Sequence, residues 1–199
     1  MPDTLTTLTY AEFLEALTDT PHVEWADGQI IPMSPITNRH TKLGLFLLML
    51  LEHWAEAHSL GEVFYEPFQM KTGPDLPGRA PDILFVATEN LPRVKNTYLD
   101  GPADLVVENI SMESRARDRG DKFYEYEAGG VREYGLVDPM RRQAEWYARD
   151  EGGLFHCLPL GGDGVWRSTV LPGFWLRDEW LWQEPLPRIA AVQREWGLV

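Results

Sequence analysis

Apolar positions along the chain follow two spacings. Leu43, Phe46, Leu47, Leu50, Leu51 and Trp54 recur in steps of three, one, three, one and three, the stripe of a helix with one face on a core. Pro35 and Thr37 precede that helix, and Gly61 is placed to stop it. Ahead of it, Thr9 followed by Glu12 reads as a capping box opening a short helix through Leu17. Val23-Glu24-Trp25 and Gln29-Ile30-Ile31, joined across Ala26-Asp27-Gly28, read as a hairpin, because Asp-Gly is a strong two-residue turn signal.

After Gly61 the pattern turns to strands: Glu62 to Tyr65, Phe68 to Lys71 and Ile83 to Ala87, with an irregular Pro/Gly-rich loop, GPDLPGRAPD, between the last two. Ala103 to Ile110, ADLVVENI, is nearly all apolar, as a strand buried on both faces should be. A helix from Glu113 to Ala128, closed by Gly129-Gly130, leads to strands Val131–Val137 and Gln143–Ala148. The remainder reads as a hairpin, a loop and a short terminal helix. Strand, helix, strand across 103–137 implies a right-handed crossover in a partly parallel sheet. The fold class is α/β (α+β): a mixed central sheet flanked by helices, with an added N-terminal hairpin and C-terminal β-hairpins. One domain is expected over 1–199, with a core at about 20–150 and an elaboration at 151–199.

Composition narrows the class. The chain has 199 residues, 44% of them hydrophobic, with eight Trp, seven Tyr and eight Phe, ample for a core. Its one cysteine, Cys157, excludes an internal disulfide and a multi-cysteine zinc site. Cys157 sits in GLFHCLPL among apolar neighbours and is expected in the core. The longest apolar run, Leu43 to Leu51, spans only about 14 Å as a helix, short of a membrane crossing. The N-terminal residues carry no basic segment followed by an apolar one, so the cytoplasm is expected.

Charge complicates the picture. The net charge is −13, whereas general nucleic-acid binders are basic because phosphate contacts supply most of their affinity. Arg115, Arg117, Arg119 and Lys122, and the pair Arg141 and Arg142, are the visible basic concentrations, with solvated surface their ordinary reading. The aromatic tail of Trp166, Trp175, Trp180, Trp182 and Trp196 reads as core or dimer interface before it reads as a stacking platform.

Candidate chemistry gathers in three places. Glu108 is the lone charge within the strand from Leu105 to Ile110, a costly position unless the carboxylate is paired or binds a metal. The period of two puts it on one face with Val106 and Ile110, opposite Val107 and Asn109, and near the strand's C-terminal end, where ligands bind in open α/β sheets. Asp82 follows Pro81 into the strand ILFV; two converging carboxylates repel, and a divalent cation resolves the repulsion. Lys122 shares a helix face with Asp118 and Tyr126, four residues to either side, and can reach back over the strand end toward Glu108. No phosphate-binding G-x-x-x-x-G-K-S/T loop is present, and ENISMES around Ser111 and Ser114 is no nucleophile elbow.

With these residues in place, the sequence resembles the PD-(D/E)XK nuclease superfamily, the restriction-endonuclease-like fold, and within it the Uma-type branch of restriction endonucleases. The matching segments are HVEWADGQIIPMSP with Glu24, the early helix with His40, APDILFV with Asp82, DLVVENISMES with Glu108 and Ser111, and DRGDKFYEYEAGGVREYGLVDP with Lys122. Together they span about residues 9 to 150. The resemblance implies DNA phosphodiester hydrolysis by a water activated on Mg²⁺ or Mn²⁺. It implies Asp82 and Glu108 as metal ligands, with the Ile110 carbonyl a third, and Lys122 acting on the scissile phosphate or the water. Glu24 matches an acid that members bring from the N-terminal region, and would position a second metal or a water. His40 fits a site-edge role, with Ser111, Asp118 and Tyr126 in support. The chain departs from the superfamily at Ile110, where a lysine is expected; Lys122 from the next helix takes its place. Asn109 stands where an aliphatic residue is usual. A non-catalytic module binding nucleic acid or a partner, and a phosphodiesterase acting on RNA or a nucleotide, are the competing functions. Cutting both strands needs two sites, so a homodimer is expected.

Overall fold

The computed structural model describes residues 8–16, 23–26, 28–32 and 37–199. Helix α1, Tyr10–Ala16, opens on a capping box: the Thr9 N–H donates to Glu12 Oε2 at 2.7 Å, and the Glu12 N–H to Thr9 Oγ1 at 3.3 Å. Leu17 lies outside the described residues, as do Pro35 and Asp27. Strands β1, Val23–Ala26, and β2, Gln29–Pro32, pair with Ala26 opposite Gln29, so Ala26 belongs to the strand rather than the turn. Helix α2, Asn38–His58, is capped by Thr37, whose side chain accepts from the His40 N–H. It stops at Ser59, left-handed at φ 54°, two residues before the expected Gly61, which instead opens β3, Gly61–Tyr65.

Strands β4, Gln69–Lys71, β5, Gly78–Arg79, β6, Ile83–Ala87, β7, Tyr98–Asp100, and β8, Leu105–Asn109, follow. The loop 73–82 is therefore not wholly irregular: Gly78 pairs with Trp25 and Lys71, and Arg79 with Met70. The helix expected over 113–128 is two helices, α3, Arg115–Arg119, and α4, Asp121–Gly129, broken at Gly120. Strands β9, Glu133–Asp138, β10, Gln143–Arg149, β11, Phe155–Cys157, β12, Val165–Arg167, and β13, Trp175–Arg177, precede helix α5, Ile189–Glu195.

The central sheet has six strands in the order β11-β10-β9-β8-β6-β3. Only β8 and β9 run parallel, joined by the crossover through α3 and α4; the other neighbours are antiparallel. A second sheet, β2-β1-β5-β4-β7, carries the N-terminal hairpin, and β12 and β13 pair separately. Strand alternation sorts the core into two layers. Ile83, Phe85, Leu105 and Val107 face α2. Leu84, Val86, Val106 and Ile110 face Tyr126 of α4 and Tyr134. Glu108 shares the second face, so its carboxylate points toward α4.

The tryptophan tail completes the α2 side of the core. Trp166 stacks on Trp146 with ring centroids 3.5 Å apart and planes 8° apart; Trp180 is buried, and Trp175, Trp182 and Trp196 pack against the same cluster. Buried Glu133 fastens this region to β9, accepting from Ser168 Oγ at 2.6 Å and from the Thr169 and Val170 N–H groups at 3.2 Å. The expectation of a buried Cys157 is overturned: its side chain is exposed. Strand β11 is the outer strand of its sheet, and only Phe155 of its three residues is buried.

Candidate active site

The register of β6 against β8 sets Ile83 opposite Val107. One residue further, the chain brings Asp82 beside the C-terminal end of β8, where the Asn109 N–H donates to Asp82 Oδ2 at 2.6 Å. The Asp82 side chain is 16% exposed, more open than those of Glu24, Glu108 and Asp118. Burial and the adjacent Glu108 carboxylate push its pKa well above the usual carboxylate range, against the pull of Lys122.

Glu108 is buried on β8. Its Oε1 accepts from Lys122 Nζ and from the Tyr126 hydroxyl, each at 2.8 Å. Burial pushes its pKa up to about 7 even with the ammonium beside it. Lys122 is equally buried. Besides Glu108, it lies 2.9 Å from Glu24 Oε1 and 3.5 Å from Asp118 Oδ1. Burial would lower its pKa, but Glu108, Glu24 and Asp118 together raise it well above the ordinary value and keep it charged. The Asp118–Lys122 contact, between residues four apart, spans the break at Gly120.

Glu24 reaches this cluster from β1 and is 0% exposed. Burial works against its charge, yet Lys122, Arg79 and Arg117 outweigh it and hold its pKa below the ordinary value. Glu24 is thus turned toward three cations. Sequence reasoning missed Arg79 and its second partner, Glu125; a signal was present, since Glu125 lies one turn beyond Lys122 on α4 and Arg79 three residues before Asp82.

His40 joins the site from the first turn of α2. Its Nε2 lies against the Asn109 carbonyl oxygen and 3.8 Å from Asp82 Oδ2, while Asn109 Nδ2 donates to the His40 carbonyl at 2.7 Å. Asn109, unexplained in the sequence, therefore latches α2 to the strand end. Ile110 donates its N–H to the Val137 carbonyl of β9 at 2.7 Å, and the Asn109 carbonyl lies against His40 Nε2. Ser111 serves a local turn, exchanging hydrogen bonds with Ser114 at 3.0 Å ahead of α3.

The basic run is not a solvated face. Arg115 pairs with Asp138 at 2.9 Å, Arg119 with Glu145 at 2.6 Å, and Arg117 lies 3.6 Å from Glu24. These partners come from other strands, which a linear reading does not reveal. Arg141 and Arg142 are exposed, as expected.

Two acids at neighbouring strand ends, with a lysine delivered by the crossover helix of a mixed sheet, define a restriction-endonuclease-like protein. The chain belongs to the Uma2 family, putative restriction endonuclease, which matches residues 10–179. In structure it is similar to a putative nuclease belonging to DUF820 from Anabaena variabilis ATCC 29413, with a TM-score of 0.70 at 17% identity, over 87% of this chain and 97% of that one. At that identity the likeness speaks to the fold. No curated protein matches the chain. Among the described residues no helix is long and apolar enough to cross a membrane.

Proposed function

We propose that this protein is a cytoplasmic, metal-dependent endonuclease that hydrolyses DNA phosphodiester bonds. The observation that carries this reading is the placement of Asp82 and Glu108 at adjoining strand ends, with Lys122 Nζ 2.8 Å from Glu108.

The residues present fit a hard divalent cation. Asp82 is partly open to solvent, and its carboxyl and that of Glu108 oppose each other's ionisation. Among the described residues no group of three His, Cys, Asp or Glu side chains forms a ready metal cage. A site with two carboxylates, a main-chain carbonyl and water is the Mg²⁺ mode of binding, with substrate phosphate completing the shell. Asp82 and Glu108 would hold the ion, with the Asn109 or Ile110 carbonyl beside them. Bound there, Mg²⁺ or Mn²⁺ would supply a water of lowered pKa and neutralise charge on the scissile phosphate.

The protein's own groups do the rest. Lys122, kept cationic by its acids, donates to a phosphate oxygen or to the attacking water. Tyr126 and Asp118 hold Glu108 and Lys122 in place, and His40 steadies the backbone at Asn109 beside Asp82. Glu24 serves as counter-charge to Lys122.

Cleavage of plasmid and single-stranded DNA in Mn²⁺ and Mg²⁺ tests the reading, with Asp82→Ala and Lys122→Ala beside wild type. Metal-dependent cutting lost in both variants supports it. Mn²⁺ affinity unchanged by Asp82→Ala and Glu108→Ala overturns the ligand assignment. One observation favours a second reading, a phosphodiesterase acting on RNA or a nucleotide: Arg79, Arg115 and Arg119 are spent on internal carboxylates, leaving fewer cations to follow a duplex. Turnover of short RNA or dinucleotides with plasmid left intact would select it. Sedimentation in the presence of DNA tests for the homodimer that double-strand cutting requires.

A further inference from the structure

The buried chain of charge continues past Glu24. Arg79, on the two-residue strand β5, donates Nε and Nη2 to Glu125 at 2.8 and 2.7 Å, and Nη1 to Glu24 Oε2 at 3.3 Å. Its side chain is 4% exposed. Glu125 rides on α4 three residues after Lys122, so Arg79 grips the helix that carries the lysine. The Glu24 carboxylate is divided: Oε2 faces Arg79 and Arg117, and Oε1 faces Lys122.

We propose that Arg79 is a positioning residue of the active site, holding Glu24 and Glu125 together so that the Lys122 ammonium is shared between Glu24 and Glu108, and that Glu24 anchors the lysine rather than binding metal or water. The geometry stands on its own; its consequence for turnover rests on the nuclease reading. The physical argument is competition for one cation. With Arg79 in place, Glu24 has its own counter-charge and leaves Lys122 in reach of Glu108. Without Arg79, the buried Glu24 carboxylate keeps only the more distant Arg117 beside Lys122 and draws the ammonium toward itself, and Glu108 is left with the Tyr126 hydroxyl. The planar guanidinium grips Glu125 with two parallel N–H bonds while a third reaches Glu24, a fork geometry that the single ammonium of a lysine does not reproduce.

The test has two arms on the full chain. The first records the side-chain ammonium resonance of Lys122 by ¹H–¹⁵N NMR, assigned by its loss in Lys122→Arg. Tight burial and ion pairing make it slow to exchange in wild type. Arg79→Lys and Glu24→Gln are each expected to speed its exchange at least tenfold, whereas the control Arg167→Met, at an exposed ion pair with Asp163, leaves it unchanged. The second arm measures Mn²⁺ binding by calorimetry and cleavage kinetics. Arg79→Lys is expected to lower kcat at least tenfold with KM and Mn²⁺ affinity within twofold of wild type. Should Arg79→Lys not fold, Glu125→Gln, which releases one grip of the clamp at a less buried carboxylate, is expected to move both readouts the same way by a smaller factor. An unchanged Lys122 resonance in a folded variant overturns the proposal. So does a loss of Mn²⁺ affinity in Glu24→Gln equal to that in Asp82→Ala, which would make Glu24 a metal ligand. If wild type cleaves nothing, the nuclease reading fails while the NMR arm still decides the role of Arg79.

Discussion

Asn109 and His40 hold each other across the interface between β8 and α2: Asn109 Nδ2 donates to the His40 carbonyl at 2.7 Å, and His40 Nε2 lies against the Asn109 carbonyl. The pair fixes the first turn of α2 beside Asp82. Replacing Asn109 with Leu leaves the buried His40 carbonyl without that donor, at a cost of about 1–3 kcal/mol. Since each kcal/mol shifts the melting point by roughly 2–4 °C in a chain of this size, calorimetry should show a fall of several degrees. An unchanged melting point would mean the latch contributes nothing.

Lys122→Met leaves Glu108, Glu24 and Asp118 buried without their shared cation. Removing one partner of a buried ion pair costs about 3–5 kcal/mol. The sign of the pH effect follows. Without the lysine, Glu108 and Glu24 hold protons to higher pH, so the variant's deficit against wild type is greatest near neutrality and shrinks as the pH falls. Urea midpoints at pH 5 and pH 7.5 check this; a deficit that grows on acidification contradicts it.

Glu133 supplies a second pH dependence, away from the site. Burial pushes its pKa from 4.5 up to about 6, outweighing the bonds from Ser168, Thr169 and Val170. A carboxyl whose folded pKa is raised stabilises the fold most below its unfolded pKa, and that contribution is lost as the pH climbs through 6. The loss is about 2 kcal/mol at 1.36 kcal/mol per unit. Glu133→Gln cannot ionise and can still accept the backbone N–H bonds. Its unfolding free energy should therefore fall by about 2 kcal/mol less than that of wild type between pH 4.5 and 7, the remaining slope belonging to Asp82 and Glu108.

Gly135 lies on β9 directly under Trp146, where an added Cβ would collide with the indole ring. Gly135→Ala should cost about 1–3 kcal/mol by overpacking and disturb the Trp146–Trp166 stack. Near-ultraviolet circular dichroism, where stacked tryptophans dominate, should weaken in the folded variant. An unaltered spectrum would mean the ring shifts without loss.

Cys157 is exposed on the outer strand β11. Its thiol should react with Ellman's reagent in the native protein at a rate close to that of the unfolded chain, and Cys157→Ser should change stability by no more than about 0.5 kcal/mol. Native-state protection of the thiol would contradict the structure.

Local elements, and the face on which each charge lies, are legible in the order of residues alone. Periodicity placed α2 and its apolar stripe, Asp-Gly placed the hairpin, and the apolar run around Glu108 marked a carboxylate facing α4 with Val106 and Ile110. These follow from short-range geometry: a helix repeats every 3.6 residues and a strand every two, so a side chain's direction is written in its neighbours. Which charges meet is settled only when the layers come together. Arg79 pairs with Glu24 across 55 positions, and the arginines of α3 find Asp138 and Glu145 on strands that follow it. Cys157, apolar by its neighbours, is exposed because it lies on the outer strand of its sheet. Gly120 splits a helix that periodicity alone would continue. Pairing across a sheet or between layers depends on strand order and register, which local spacing does not encode, and in a buried site those long-range meetings set the charge state of each group.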